Sequence, residues 1–152
     1  MAVLNMSLEN PVFTCYLTYI CILTLKMMLM SILTGMQRKK HQVLASPEDA
    51  KLSPGKNFKK SHEDVDRVRR AHLNDLENIP IFMAVGYVYA MTNPSLTTAA
   101  MLFRIYTAAR CIHTYVYAIH VVPQPARGIA WGIGFLIAGY MAVASICHFA
   151  QF

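Results

Sequence analysis

The chain predicts an all-α integral membrane protein, a bundle of four transmembrane helices, and three observations predict it. Charged residues make up only 14% of its 152 residues against 55% apolar, and the mean hydropathy is +0.36. An average soluble domain carries roughly 25% charged residues. The charges are also crowded together: ten of the fourteen Lys and Arg lie between Arg38 and Arg70, and among the eight acids only Glu9 falls outside the stretch from Glu48 to Glu77. The rest of the chain is left as apolar runs of bilayer length. This pattern argues against a soluble enzyme, a disordered chain or a disulfide scaffold, and the four Cys show no CxxC spacing.

Span one covers Val12 to Met36, 25 residues with the single charge of Lys26. At about 1.5 Å per residue this exceeds the roughly 30 Å hydrocarbon core. No small-residue cleavage site follows it, so it reads as a retained anchor. Asn78 to Phe103 is again uncharged, but Asn93-Pro94-Ser95 divides it, since proline breaks the helical ladder and Ser95 offers a new cap. Helix two is expected to start near Ser61, with Ser61-x-x-Asp64 as a capping box, and to end at Thr92, its membrane part spanning 64–92. Pro80 should kink it. Helix three is expected over 95–122, stopped by Pro123-Gln124-Pro125, and span four over 126–150, which holds no charge after Arg127.

The connection 37–63 collects Arg38, Lys39, Lys40, Lys51, Lys56, Lys59 and Lys60, which places it and the Pro123–Arg127 turn in the cytosol. Within it Ser46-Pro47-Glu48-Asp49 reads as a helix start and Ser53-Pro54-Gly55 as a break. The basic loop adjoins two spans and lacks interleaved aromatics, so anionic headgroups of the bilayer, not nucleic acid, are its expected partner.

Ionisable groups inside a bundle are costly and point to function. At about 100° per residue, Arg70, Asn74 and Glu77 share one face of helix two, and Arg110, His113 and Tyr117 one face of helix three. One reading is structural: a Glu77–Arg110 salt bridge, Asn74 as interhelical glue, Arg104 finding a partner inside the bundle. The other is a ligand, because Arg38, Arg70, Arg110 and Arg127 outnumber Glu77 and guanidinium forks match carboxylates or phosphate. Lys26 is expected to face the interior or snorkel. His41, His62, His120 and His148 have no spacing that argues for a metal, and none is expected.

The run Asp66-Arg67-Val68-Arg69-Arg70-Ala71-His72-Leu73-Asn74-Asp75-Leu76-Glu77-Asn78 closely resembles the helix-two signature of the membrane-associated proteins in eicosanoid and glutathione metabolism. Thr34-Gly35-Met36-Gln37-Arg38, Ser46-Pro47-Glu48-Asp49, the Arg110–Tyr117 segment and Pro123-Gln124-Pro125-Ala126-Arg127-Gly128 follow in that family's order. Leu73 and the Pro-Gln-Pro turn resemble its glutathione-transferase branch more than its prostaglandin E synthase branch. The resemblance implies a homotrimer of four-helix subunits with glutathione held between neighbours near the cytosolic face. By position, Arg38, Arg70, Asn74 and Glu77 of one subunit would meet His113, Tyr117 and Arg127 of the next, with Arg110 also among the glutathione-binding residues and Trp131 where relatives put an aromatic near the glutathione. Ala50 stands where mammalian transferase members carry a reactive cysteine, and Pro80 lies one residue earlier than the family's proline.

The implied activity is conjugation of the glutathione thiolate to hydrophobic electrophiles, with reduction of lipid hydroperoxides. Arg127 would be the counter-charge of the thiolate and Tyr117 a hydrogen-bond donor to it. Two alternatives are an isomerase converting prostaglandin H to E, disfavoured by Gly128 where that enzyme has a serine, and a non-enzymatic lipid-binding scaffold. Family analogy implies the endoplasmic reticulum membrane and the outer mitochondrial membrane as locations.

Overall fold

The computed structural model describes residues 7–52 and 58–150. Its long elements are four helices, α1 (Pro11–His41), α2 (Glu63–Met91), α3 (Leu96–Thr114) and α4 (Ala126–Phe149), and no strand occurs among the described residues. A short 3₁₀ turn, Pro47–Leu52, follows α1, and a π-helical turn, Tyr115–Ile119, follows α3.

Each boundary has a local cause. Asn10 accepts the amide of Val12 at 2.9 Å and Pro11 occupies the first turn, where its missing N–H costs nothing. The helix runs past the expected Met36 to His41, so its last turn carries Arg38, Lys39 and Lys40 against the negative end of the macrodipole. Gln42 ends it in the left-handed region at φ 54°, and the Val43 amide closes on the Arg38 carbonyl at 2.9 Å. The cap of α2 is not Ser61 but its neighbour: His62 Nδ1 accepts the Asp64 amide at 3.2 Å. Ser95 caps α3 as its sequence context predicts, accepting from Thr98 at 3.2 Å. The Ser46-Pro47 start opens the 3₁₀ turn, whereas Ser53-Pro54-Gly55 lies outside the described residues. Helix three stops short of Val122 because its last turn widens to π geometry and ends at His120, whose amide donates to the Tyr115 carbonyl at 2.8 Å.

α1 packs on α2 and α3, α4 packs on the same two, and α1 and α4 do not meet among the described residues. The section is therefore a rhombus with α2 and α3 on its short diagonal. At its centre Phe82 and Tyr106 stack at 3.7 Å, ringed by Leu23, Ile79, Phe103 and Met141, all fully buried. Such a stack contributes about 0.5–1.5 kcal/mol beyond its burial. α2 continues through Pro80, with Asn78 Nδ2 donating to the Asn74 carbonyl at 2.7 Å and the Tyr106 hydroxyl to the Asn78 carbonyl at 3.0 Å.

The outer surface is inverted relative to a soluble protein. Leu25, Met28, Leu29, Ile32 and Met36 on α1, and Phe135, Leu136, Tyr140, Val143 and Ile146 on α4, are each more than half exposed. Apolar faces of that extent need a nonaqueous neighbour. α1 and α4 are long and apolar enough to cross a membrane, and most of each apolar stretch is unburied by the chain itself. α2 and α3 carry Asp75, Arg110, Arg70 and Glu77, while Lys26 comes from α1 and Arg127 from the start of α4.

Candidate functional site

The polar interior is organised by an acid that the charge stripes do not single out. Asp75 is wholly buried and accepts Arg110 Nε at 3.1 Å, while Arg110 Nη2 donates to Asn74 Oδ1 at 2.9 Å. Lys26 of α1 reaches the other carboxylate oxygen of Asp75. The expected Glu77–Arg110 bridge is thereby replaced by Asp75–Arg110. Residues two positions apart on a helix are turned about 200° from each other, so when Asp75 faces the core Glu77 must face out. Arg104 likewise turns outward, where its Nε donates to the Tyr19 hydroxyl at 3.2 Å. Lys26 does face the interior, as one of its two expected dispositions.

Above this triad opens a cleft of about 370 Å³ lined by Arg70, Leu73, Asn74, Glu77, His113, Tyr117, Gln124, Arg127, Gly128 and Trp131. A single chain thus brings together seven of the nine expected site residues. The remaining two go elsewhere. Arg110 lies beneath the cleft, 1% exposed, where it holds Asn74 instead of lining the space. Arg38 opens onto a separate cleft of about 340 Å³ with Ser31, Thr34, Arg69 and His72, and its buried Nε has no hydrogen-bond partner among the described residues. Leu73 lines both clefts and is the ridge between them.

Tyr117 is the centre of the first cleft, and the π turn presents it there. Its hydroxyl accepts Arg70 Nε at 3.3 Å, and the Arg127 guanidinium stands 4.3 Å from its ring centroid. That cation–π seat contributes about 0.5–2 kcal/mol and aims the guanidinium without neutralising it. Arg70 also holds Glu63 at 2.7 Å. Among the described residues, neither Arg127 nor Glu77 has a charged partner within ion-pair distance. His113 packs edge-on to Tyr117 at 5.6 Å with a buried, unpartnered Nδ1. The cationic surplus is therefore smaller than the sequence implies, because Arg110 is matched inside and Arg70 at the surface. What stays open is an unpaired cation and an unpaired anion facing one cavity, an arrangement suited to a zwitterion with extra negative charge.

Asp75 and Gln124 lie outside the set of expected site residues. Gln124 accepts the Gly128 amide at 3.2 Å and so forms the floor of the turn that carries Arg127. The only sequence cue for Asp75 was its place two residues before Glu77, on the opposite face.

The pattern of the MAPEG family matches residues 16–147. The chain is 44% identical to microsomal glutathione S-transferase 1 of Mus musculus over 146 residues, covering 93% of this chain and 94% of the relative. It is 39% identical to the Homo sapiens protein of the same name over 143 residues, 91% and 92% of the two chains. Prostaglandin E synthase of Macaca fascicularis is 31% identical over 147 residues, 97% and 96%. On this evidence the chain belongs to the MAPEG family.

Proposed function

We propose that the protein is a glutathione transferase of the membrane, joining the glutathione thiolate to hydrophobic electrophiles. One observation carries the reading: Arg127 and Glu77, both without an ionic partner among the described residues, face the same cleft beside Arg70 and Asn74. Glutathione has two carboxylates, one ammonium and a thiol. Glu77 takes the ammonium, Arg70 exchanges Glu63 for a carboxylate, and Asn74, positioned by Arg110, bonds the peptide backbone. Trp131 and His113 close the apolar and polar sides of the cleft. Arg38 completes the site from a neighbouring subunit, since the chain's own Arg38 lies beyond the Leu73 ridge, and the assembly is a homotrimer of four-span subunits in the endoplasmic reticulum membrane.

Arg127 meets the sulfur. A free thiol titrates near 8.5 and is mostly protonated at neutral pH, and lowering that value by about two units takes about 2.7 kcal/mol. A guanidinium fixed in a site of low dielectric supplies energies of this order. The thiolate then attacks the electrophilic carbon and expels its leaving group, or adds to an activated alkene with a proton taken from water. With a lipid hydroperoxide, two glutathiones yield the alcohol, water and glutathione disulfide. Ultraviolet titration of the purified protein with glutathione tests the assignment. Arg127→Ala should lose the thiolate signal and retain binding, and equal signals in the two proteins would remove Arg127 from this role.

The 31% identity to a prostaglandin E synthase supports a second reading, isomerisation of prostaglandin H to E. Product analysis with the endoperoxide separates the two.

A further inference from the structure

The end of α1 and the start of α2 meet at a cluster that chain spacing hides. His41, the last residue of α1, stacks on His62, the cap of α2, with ring centroids 3.6 Å apart. Asp64 completes a triangle: its Oδ2 lies 3.1 Å from His41 Nε2 and 3.8 Å from His62 Nδ1. One donor atom from each residue falls within 4.8 Å of the others, and among the described residues no other His, Cys, Asp and Glu group is so close. Buried His41 Nε2 has no hydrogen-bond partner among the described residues, because its approach to Asp64 lacks the alignment of a bond. Arg67 Nη1 donates to Asp64 Oδ1 at 2.9 Å, which orients the carboxylate and leaves Oδ2 turned to the imidazoles.

We propose that His41, His62 and Asp64 form a binding site for a divalent transition-metal ion of the zinc class, independent of the glutathione cleft. Donors held at about 2.0–2.1 Å from a tetrahedral ion lie about 3.4 Å from one another. The two carboxylate edges, 3.1 and 3.8 Å, bracket that separation, but the imidazoles now lie face to face with their lone pairs in nearly parallel planes, so the stack must open and the rings turn toward one another to share an ion. Two nitrogens and one oxygen select zinc, cobalt, nickel or copper over calcium and magnesium, which need oxygen cages. Three protein ligands leave the fourth position to water. Arg67 is the outer-shell partner that ligating carboxylates usually have. His62 Nδ1 would give up the Asp64 amide to take the ion, and Lys40 and Lys59 nearby oppose a dication, so the affinity is moderate. The ion would tie the two ends of the 42–62 connection where the Lys59 amide already donates to the Gln42 carbonyl at 3.0 Å.

The test is cobalt(II) titration of the full-length, tag-free protein in detergent without glutathione, followed by visible absorption. Wild type should develop tetrahedral d–d bands saturating at one ion per chain, without the near-ultraviolet band of cobalt–thiolate. His41→Phe keeps the ring stack, and His62→Asn keeps a capping acceptor. Both should retain the far-ultraviolet circular dichroism of wild type while weakening cobalt binding by about tenfold or more, and zinc should displace cobalt in competition. Absence of saturable bands in wild type, bands that persist in both variants, or a thiolate band from the cysteines would each overturn the proposal.

Discussion

Replacing Asp75 by Asn removes the acid on which a buried cation, Arg110, and a nearly buried one, Lys26, converge. Asp75 is 0% exposed and Arg110 1%, so water cannot take over the lost role, and Lys26 and Arg110 are left facing each other across an amide. Breaking a buried pair by deleting one partner costs about 3–5 kcal/mol. At about 1.4 kcal/mol per decade this is a loss of about a hundredfold to a few thousandfold in the folding constant. The assay is reversible unfolding of the detergent-solubilised protein by sodium dodecyl sulfate without glutathione, followed by circular dichroism. Two companions set the scale. Glu77→Gln alters an exposed, unpaired residue and should stay within about 0.5 kcal/mol of wild type. Lys26→Met leaves a balanced Asp75–Arg110 pair and should cost clearly less than Asp75→Asn. The reasoning fails if Asp75→Asn is as stable as wild type, or if Glu77→Gln is the costlier change, since the interior acid would then be Glu77.

Three further outcomes follow from the packing and the site. Gly86→Ala places a Cβ 3.1 Å from Tyr16 Cε2 and should destabilise by about 1–3 kcal/mol, whereas Gly132→Ala meets nothing within 4 Å and should stabilise by about 0.5–1 kcal/mol, both read from the same unfolding curves. Ser95→Ala deletes the α3 cap and should cost about 1 kcal/mol, recovered in large part by Ser95→Asp. Tyr117→Phe keeps the ring beneath Arg127 but removes the hydroxyl expected to donate to the thiolate, and should lower the thiolate signal by less than Tyr117→Leu does. Tyr117→Leu removes that seat and should reduce the signal by about two- to fivefold, the equivalent of about 0.5–1 kcal/mol.

Helices are legible in this chain because lipid excludes charge and because caps are local. The apolar runs and the Ser95 cap involve neighbours in sequence, and a linear reading reaches them. It also reaches the polar stripe Arg70–Asn74–Glu77, which shares a helix face and faces one cleft with Tyr117 and Arg127. The misses are of another kind. A capping box and a His cap one residue later look equally good until the side-chain rotamer of His62 is known. The expected stop at Pro123 comes too late, since α3 ends at Thr114 and the π turn at Ile119. That π turn has no composition of its own that sets it apart from α3.

Partner choice belongs to the folded bundle. Asp75 and Glu77 are chemically near-equivalent neighbours, and periodicity alone tells that they point apart, not which of them points inward. That is settled by the rotation of α2 against α1 and α3, which puts Lys26 and Arg110 on one side of it. Arg38 reads as one of a set with Arg127 because both are unneutralised basic residues, yet the Leu73 ridge parts them within the chain. His41 and His62 are 21 residues apart and carry no spacing signal, but closing the connection between two antiparallel helices stacks them at 3.6 Å. Burial and periodicity are properties of a segment, whereas an ion pair or a ligand triangle is a property of distance, and distance between remote residues exists only once the helices have packed.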